Sequence, residues 1–254
     1  MRLLILSAAF VSFLVPALGC RAEDKPTQMF LLIGQSNMAG RAPLAPEDAE
    51  PLPGVLLLNA DGAWVPAQQP LNQYASDRKD LNMQQFNLGG PFAQALREHD
   101  PDTTVGLIVN ARGGTGIELW QPGEDLYEHA VARWRDIGGP TLAGVLWHQG
   151  ESNRNDADYK DKLITIISAL RQTTGQPDLP FIMGHISGET PINSQMDAIA
   201  EELPYTAAVT VDGLERFDGT HYDRESMIVL GKCYFDAYLG LVNREEDASE
   251  KPAE

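Results

Sequence analysis

A three-layer α/β domain, with a central parallel sheet between two layers of helices, is the fold this sequence predicts. Two observations carry it. Short aliphatic or β-branched runs recur along the chain, each bounded by Gly, Pro, Asn or Asp and apolar at successive positions, as strands buried on both faces must be. Between several of them lie stretches whose apolar residues follow the period of an amphipathic helix. A chain of 254 residues, 43% hydrophobic and 22% charged, is long enough for one such core, and one domain is expected.

The elements begin after a leader. Residues 1–19 carry Arg2, the apolar run "LLILSAAFVSFLVPAL" and the small-residue ending "ALG". This is the pattern of a bacterial secretory signal, so an exported protein is expected, whether periplasmic, at the cell surface or secreted. Cys20, directly after Gly19, resembles a lipobox cysteine, where a lipid would tether the chain to a membrane. Residues 20–28 read as a polar tether, and 29–243 as the folded unit. Strands are predicted at Met29–Ile33, Val55–Leu58, Thr104–Val109, Ala143–Trp147, Phe181–Gly184 and Ala207–Val211. Helices are predicted over "GPFAQALREH", "ADYKDKLITIISALRQTTG" and "YDRESMIVLGKCYFDAYLGLV". The stretch from Arg41 to Phe86, rich in Pro, Ala, Gln and Asn, reads as loop, part of it walling a ligand site. Residues 244–254 read as a disordered acidic tail.

Composition narrows the function. A formal net charge of −17 argues against nucleic acid, which needs a Lys/Arg-rich face to neutralise phosphates. With only Cys20 and Cys233 there is no disulfide framework, and Cys233 lies in an apolar helical pattern where a buried thiol is the default. No cofactor motif and no obligate protein partner is evident.

Ligands of open parallel sheets bind beyond the carboxyl ends of the strands, and four of those junctions stand out. "GQSNM" follows Ile33, "NARGGTG" follows Val109, "HQGESN" follows Trp147, and "DGLERFDGTH" lies past Val211. A serine at a strand-to-helix turn is exposed and close to backbone N–H groups that can hold a developing oxyanion, which makes Ser36 a candidate nucleophile. Taken alone it could equally cap the helix, and Met38 breaks the G-x-S-x-G elbow of α/β-hydrolases. In "DGTH" one turn brings Asp218 and His221 to the same side, which supplies a base with its orienting carboxylate. Gly113, Gly114 and the Gln149 amide offer oxyanion donors. Ser152, flanked by Gly150 and near His148, is a rival nucleophile. A zinc site from His148, His185, Asp218 and His221 is a lesser alternative, since no metal-ligand spacing is present.

In order and spacing, "GQSNM", "GGTG" followed by Trp120, "WHQGES" and "DGTH" resemble the blocks of the SGNH (GDSL-like) hydrolases, in their sialate O-acetylesterase and acetylxylan esterase branch. The resemblance implies a flavodoxin-like α/β/α fold and a cofactor-free serine esterase that removes acetyl groups from carbohydrate hydroxyls. Carried over by position, Ser36 is the nucleophile, His221 the base and Asp218 its partner. The Ser36 N–H, Gly113 or Gly114, and Gln149 form the oxyanion hole, with Gln149 standing where most of the family has Asn. Gln35, Asn37, Arg112, Trp120 and Glu151 are expected to shape the substrate pocket, Asn37 by holding the turn and Trp120 by offering a surface for sugar stacking, while Trp147, within an apolar run, is expected in the core. Acetylated neutral glycans of the acetylxylan type fit the acidic chain better than sialates, for which Arg112 is the one nearby cation. The competing readings are an exported carbohydrate binder without catalysis and an esterase or lipase of other acyl groups on the same fold.

Overall fold

The computed structural model describes residues 25–249, so the leader, Cys20 and the last five residues lie outside the described residues. In chain order the elements are β1 (Gln28–Gly34), α1 (Ser36–Ala39), β2 (Val55–Leu58), β3 (Trp64–Pro66), α2 (Gly89–His99), β4 (Val105–Ala111), α3 (Asp125–Asp136), β5 (Gly144–His148), α4 (Tyr159–Thr174), β6 (Phe181–Gly184), α5 (Pro191–Glu202), β7 (Thr206–Val209) and α6 (Arg224–Ser249). The described strands form one sheet in the order β3-β2-β4-β1-β5-β6-β7. Every pairing is parallel except β2 with β3.

β1 is central, flanked by β4 and β5, and its side chains alternate between two cores. Phe30 and Leu32 face the layer of α2 and α6, while Leu31 and Ile33 face α3, α4 and α5. On the first face Phe30, Phe92 and Tyr238 meet edge-on, with centroids 4.8 to 6.2 Å apart. There α6 runs close to the start of α2, since a Cβ on Gly231 would lie 2.5 Å from the Leu88 carbonyl oxygen. Full burial of each such large apolar side chain contributes about 2–3 kcal/mol. No helix among the described residues is long and apolar enough to cross a membrane.

The expected α/β fold class holds, with a mostly parallel sheet. Three details differ from the expectations. The stretch expected to be loop contains β3. This three-residue edge strand returns on β2 through a turn in which Asn59 Oδ1 accepts the Asp61 and Ala63 N–H groups. It is too short for alternation to show. Second, α3 and α5 appear between predicted strands. α3 buries Leu126, Ala130 and Trp134, but the same face carries Arg133, which sends its guanidinium inward to the Leu58 and Tyr74 carbonyls and so interrupts the apolar stripe. Third, α6 runs to Ser249, so the segment written as a disordered tail from 244 is helical at its start. No Gly or Pro stops the helix before Pro252. Cys233 is half-buried and free, and burial, with Asp236 adding, raises its thiol pKa.

Candidate active site

The site grows from the end of β1. Gly34 has φ +138°, and a Cβ there would overlap the His148 carbonyl oxygen. The Gln35 N–H donates to that oxygen at 2.9 Å, and the Arg112 N–H donates to Gly34 O at 3.0 Å. The chain is thus held between β5 and β4 at the point where it turns into α1, and Ser36 is the first residue of that helix, only 5% exposed. Gly113, just past β4, packs on it: a Cβ on Gly113 would lie 3.3 Å from Ser36 Cβ. Gly114, by contrast, is exposed and faces Lys79 Nζ. Of the two glycines, Gly113 is the one that packs against Ser36.

Asn37 joins the two halves of the site. Its Oδ1 accepts the Tyr222 N–H at 3.3 Å, and its Nδ2 donates to Thr220 O at 3.4 Å and to Glu151 Oε1. The residue after Ser36 therefore grips the backbone on both sides of His221, across 183 to 185 residues of sequence. Within "DGTH", Asp218 Oδ2 lies 2.6 Å from His221 Nδ1, and its Oδ1 accepts the backbone N–H of His221 and of Thr220 at 2.7 and 3.0 Å. Burial opposes ionisation of Asp218, but the bond to the His221 ring and the two backbone donors outweigh it and bring its pKa down to about 2. The imidazole is consequently fixed through Nδ1 and presents Nε2 outward.

Several expected pocket residues have other work. Gln149 is fully buried. Its Nε2 lies within 3.2 Å of Gln35 Oε1, Thr115 O and Asn153 Oδ1, and its Oε1 accepts from Tyr159. Two amide protons facing three protein acceptors leave none for a substrate oxygen, so the oxyanion role expected of Gln149 does not hold in this geometry. Gln35, expected in the pocket, turns its carbonyl oxygen inward to the Gln149 amide and the Gly150 and Ser152 N–H groups. Trp120 and Trp147 are buried and meet edge-on at 5.6 Å, and Trp120 Nε1 donates to Thr115 Oγ1. Neither presents a face to a sugar. Trp120→Ala is therefore expected to cost about 3–5 kcal/mol of stability, read from the urea midpoint, rather than to raise KM alone. Glu151 holds Asn37, and Arg112 Nη1 is tied to Asp77 O at 2.6 Å.

The rival constellations do not assemble. His148 is fully buried. Tyr234 gives its hydroxyl proton to Trp147 O, so His148 Nδ1, 3.0 Å away, is the donor in that pair, and burial lowers the pKa of the ring, with Glu151 opposing. No hydrogen bond joins His148 to Ser152. His185 is taken by Asp197 at 2.9 Å, and the described residues contain no group of three or more His, Cys, Asp or Glu that could hold a metal ion.

Sequence reading missed two neighbours. Phe217 is 49% exposed and stacks on the His221 ring at 6.1 Å, which makes it the exposed aromatic face beside the base. An exposed aromatic one residue before D-x-x-H was the available signal. Arg41 places Nη2 against Gly113 on the side where a Cβ would be, next to Ser36. Beyond the Asp218–His221 loop lies a cleft of about 750 Å³, lined by Ser187, Thr190, Asn193, Asp212 and Arg216. Arg216 ties its wall to the loop through Ser187 Oγ and Gly219 O.

Comparison with known proteins identifies the family. Residues 26–240 match the family model described as "Carbohydrate esterase, sialic acid-specific acetylesterase". The chain is 34% identical over 240 residues to the probable carbohydrate esterase At4g34215 of Arabidopsis thaliana, covering 84% of this chain and 91% of that protein. The X-ray structure of the Arabidopsis protein superposes with a TM-score of 0.76 at 30% identity, over 85% of this chain and 99% of that one. Two more distant structures share the fold. NanS has a TM-score of 0.67 at 15% identity, covering 87% and 99% of the two chains. XAC1771, a carbohydrate acetylesterase from Xanthomonas citri, has 0.64 at 19%, covering 84% and 56%. With a serine at the β1–α1 turn, a D-x-x-H loop clasped to it, and the family model spanning the whole described sheet, this chain belongs to the carbohydrate esterase, sialic acid-specific acetylesterase family and is a carboxylic ester hydrolase.

Proposed function

We propose that the protein removes O-acetyl groups from carbohydrates through an acyl-enzyme on Ser36, with His221 as the base and Asp218 as its orienting partner. The observation that carries this reading is the clasp of Asn37 on Thr220 and Tyr222, which sets the Asp218–His221 pair beside the nucleophile's own helix turn. His221 Nε2 takes the Ser36 proton as Oγ attacks the acetyl carbon, and the N–H groups of Ser36 and Gly113 face the carbonyl oxygen. The proton then passes to the departing sugar oxygen, and a water activated by the same imidazole releases acetate.

Among sugars, neutral acetylated glycans such as acetylxylan are the favoured substrates, with Phe217 as the stacking face and the polar cleft at Ser187, Asn193 and Arg216 receiving the remainder of the glycan. The leader pattern in residues 1–19 supports an exported activity. Acetate release from acetylated xylo-oligosaccharides, from O-acetylated sialic acid and from longer-chain aryl esters tests the reading. Preference for the acetylated sugars is the expected order, and preference for long acyl chains contradicts it.

The pKa of Asp218 sets a pH prediction. Its folded value is depressed to about 2, so the carboxylate and its hold on His221 persist at higher pH and are lost only as pH falls toward about 2. Loss of the Asp218 carboxylate should therefore leave kcat/KM untouched until the pH approaches about 2, as a pH–rate profile would show. Asp218→Asn, which keeps the shape and removes the charge, is expected to lower kcat roughly 10²-fold or more with KM little changed, as steady-state kinetics would show.

A further inference from the structure

We propose that Arg41 is a catalytic residue of this site, its Nη2 stabilising the negative charge that develops on the acetyl oxygen. The proposal rests on the serine-esterase reading above and adds a member to it. Arg41 follows Gly40, which closes the short helix begun by Ser36. Its Nη1 is pinned by the carbonyls of Gly40 and Met83, both at 2.6 Å, so the guanidinium is fixed rather than free to swing into solvent. The other nitrogen, Nη2, makes no hydrogen bond among the described residues and packs on Gly113, where it and Ser36 Cβ flank the same point.

Charge makes the placement informative. The side chain is half-buried, and burial lowers its pKa, yet among the described residues no carboxylate lies within ion-pair distance. An unpaired, partly buried cation costs stability, and this chain carries 36 carboxylate side chains from which a partner could have come. A charge left open beside the nucleophile is complemented when an anion forms there. The tetrahedral intermediate is that anion. Gln149, whose amide is saturated by protein acceptors, leaves the third donor position unfilled, and the planar Arg41 fork has N–H groups to fill it. Lys79 Nζ, beside Gly114 and also without an ion pair among the described residues, is a second cation near the glycine pair.

The chemistry balances without further reagents. Ser36 Oγ bonds to the acetyl carbon while its proton passes to His221. The carbonyl π pair becomes the oxyanion's lone pair, facing the N–H groups of Ser36 and Gly113 and Arg41 Nη2. On collapse the C=O bond re-forms, the bond to the sugar oxygen breaks, and that oxygen takes the proton from His221. Arg41 neither gains nor loses a proton.

The test compares wild type, Arg41→Met and Arg41→Lys with 4-nitrophenyl acetate and an acetylated xylo-oligosaccharide, and measures inhibition by phenylboronic acid, which forms a tetrahedral anion on an active serine. Loss of one oxyanion donor predicts a fall in kcat of about 10²-fold in Arg41→Met with KM changed less than about threefold, and a matching rise in the boronate inhibition constant. Arg41→Lys should keep part of the rate, and added methylguanidinium should restore part of the rate of Arg41→Ala, which a purely structural role would not allow. Unchanged kcat in a folded Arg41→Met overturns the proposal. So does a loss confined to KM, which would make Arg41 a ground-state anchor. A wild-type protein without esterase activity would overturn the underlying Ser36 reading, and this role with it.

Discussion

Ser36→Ala is expected to fold as the wild type does and to lose at least about 10⁴-fold in kcat on any acetyl ester the protein turns over. The structure gives the reason on both counts. Ser36 Oγ makes no hydrogen bond among the described residues, and its Cβ, which alanine keeps, is the atom that packs on Gly113. The rival serine is not placed to take over the attack. Ser152 is exposed, and the histidine closest to it in sequence is sealed against Tyr234. Initial rates on 4-nitrophenyl acetate, with far-ultraviolet circular dichroism as the folding control, measure the effect. Residual activity above about a hundredth of wild type would point to a different nucleophile.

Gly34→Ala is expected to be among the most damaging of the glycine-to-alanine changes in this fold. Gly34 ends β1 at φ +138°, a conformation L side chains rarely adopt, and the added Cβ would overlap backbone, the His148 carbonyl, rather than a side chain that could move aside. The same carbonyl receives the Gln35 N–H that starts the active-site turn. A loss of about 4 kcal/mol or more is expected, enough to leave much of the protein unfolded at ordinary stabilities. Gly240→Ala is the contrast. It lies inside α6, with no atom within 4 Å of its would-be Cβ, and should stabilise by up to about 1 kcal/mol. Urea midpoints of the two variants, run together, read the difference.

The sequence showed the parts of this protein that local physics dictates. Six strands were legible because parallel strands buried on both faces must be apolar at consecutive positions, and α4 because Tyr159, Leu163, Ile166, Ile167 and Leu170 keep one face. β3 was not, since three residues cannot display a period. α3 was hidden by Arg133, whose burial depends on carbonyls of Leu58 and Tyr74, groups that no local pattern announces. α5 could have been found from Pro191 at its first turn followed by Ile192, Met196 and Ile199 on one face. In the site, Ser36, Asp218 and His221 stood out because their chemistry is written in side-chain type and spacing. What each neighbour does was not legible. Gln149, Gln35 and Trp120 have side chains suited to a substrate, yet their exposure is decided by tertiary packing. Arg41 reaches Gly113 only because the Gly40 and Met83 carbonyls, 43 residues apart, meet at its guanidinium.

The central claim is that Ser36 is an activated nucleophile served by His221. It is tested most directly by reacting the purified protein with a fluorophosphonate probe and locating the adduct by peptide mass spectrometry. The account predicts modification at Ser36, abolished in a folded His221→Ala variant. An adduct at Ser152, or none in a folded wild-type protein, would contradict it.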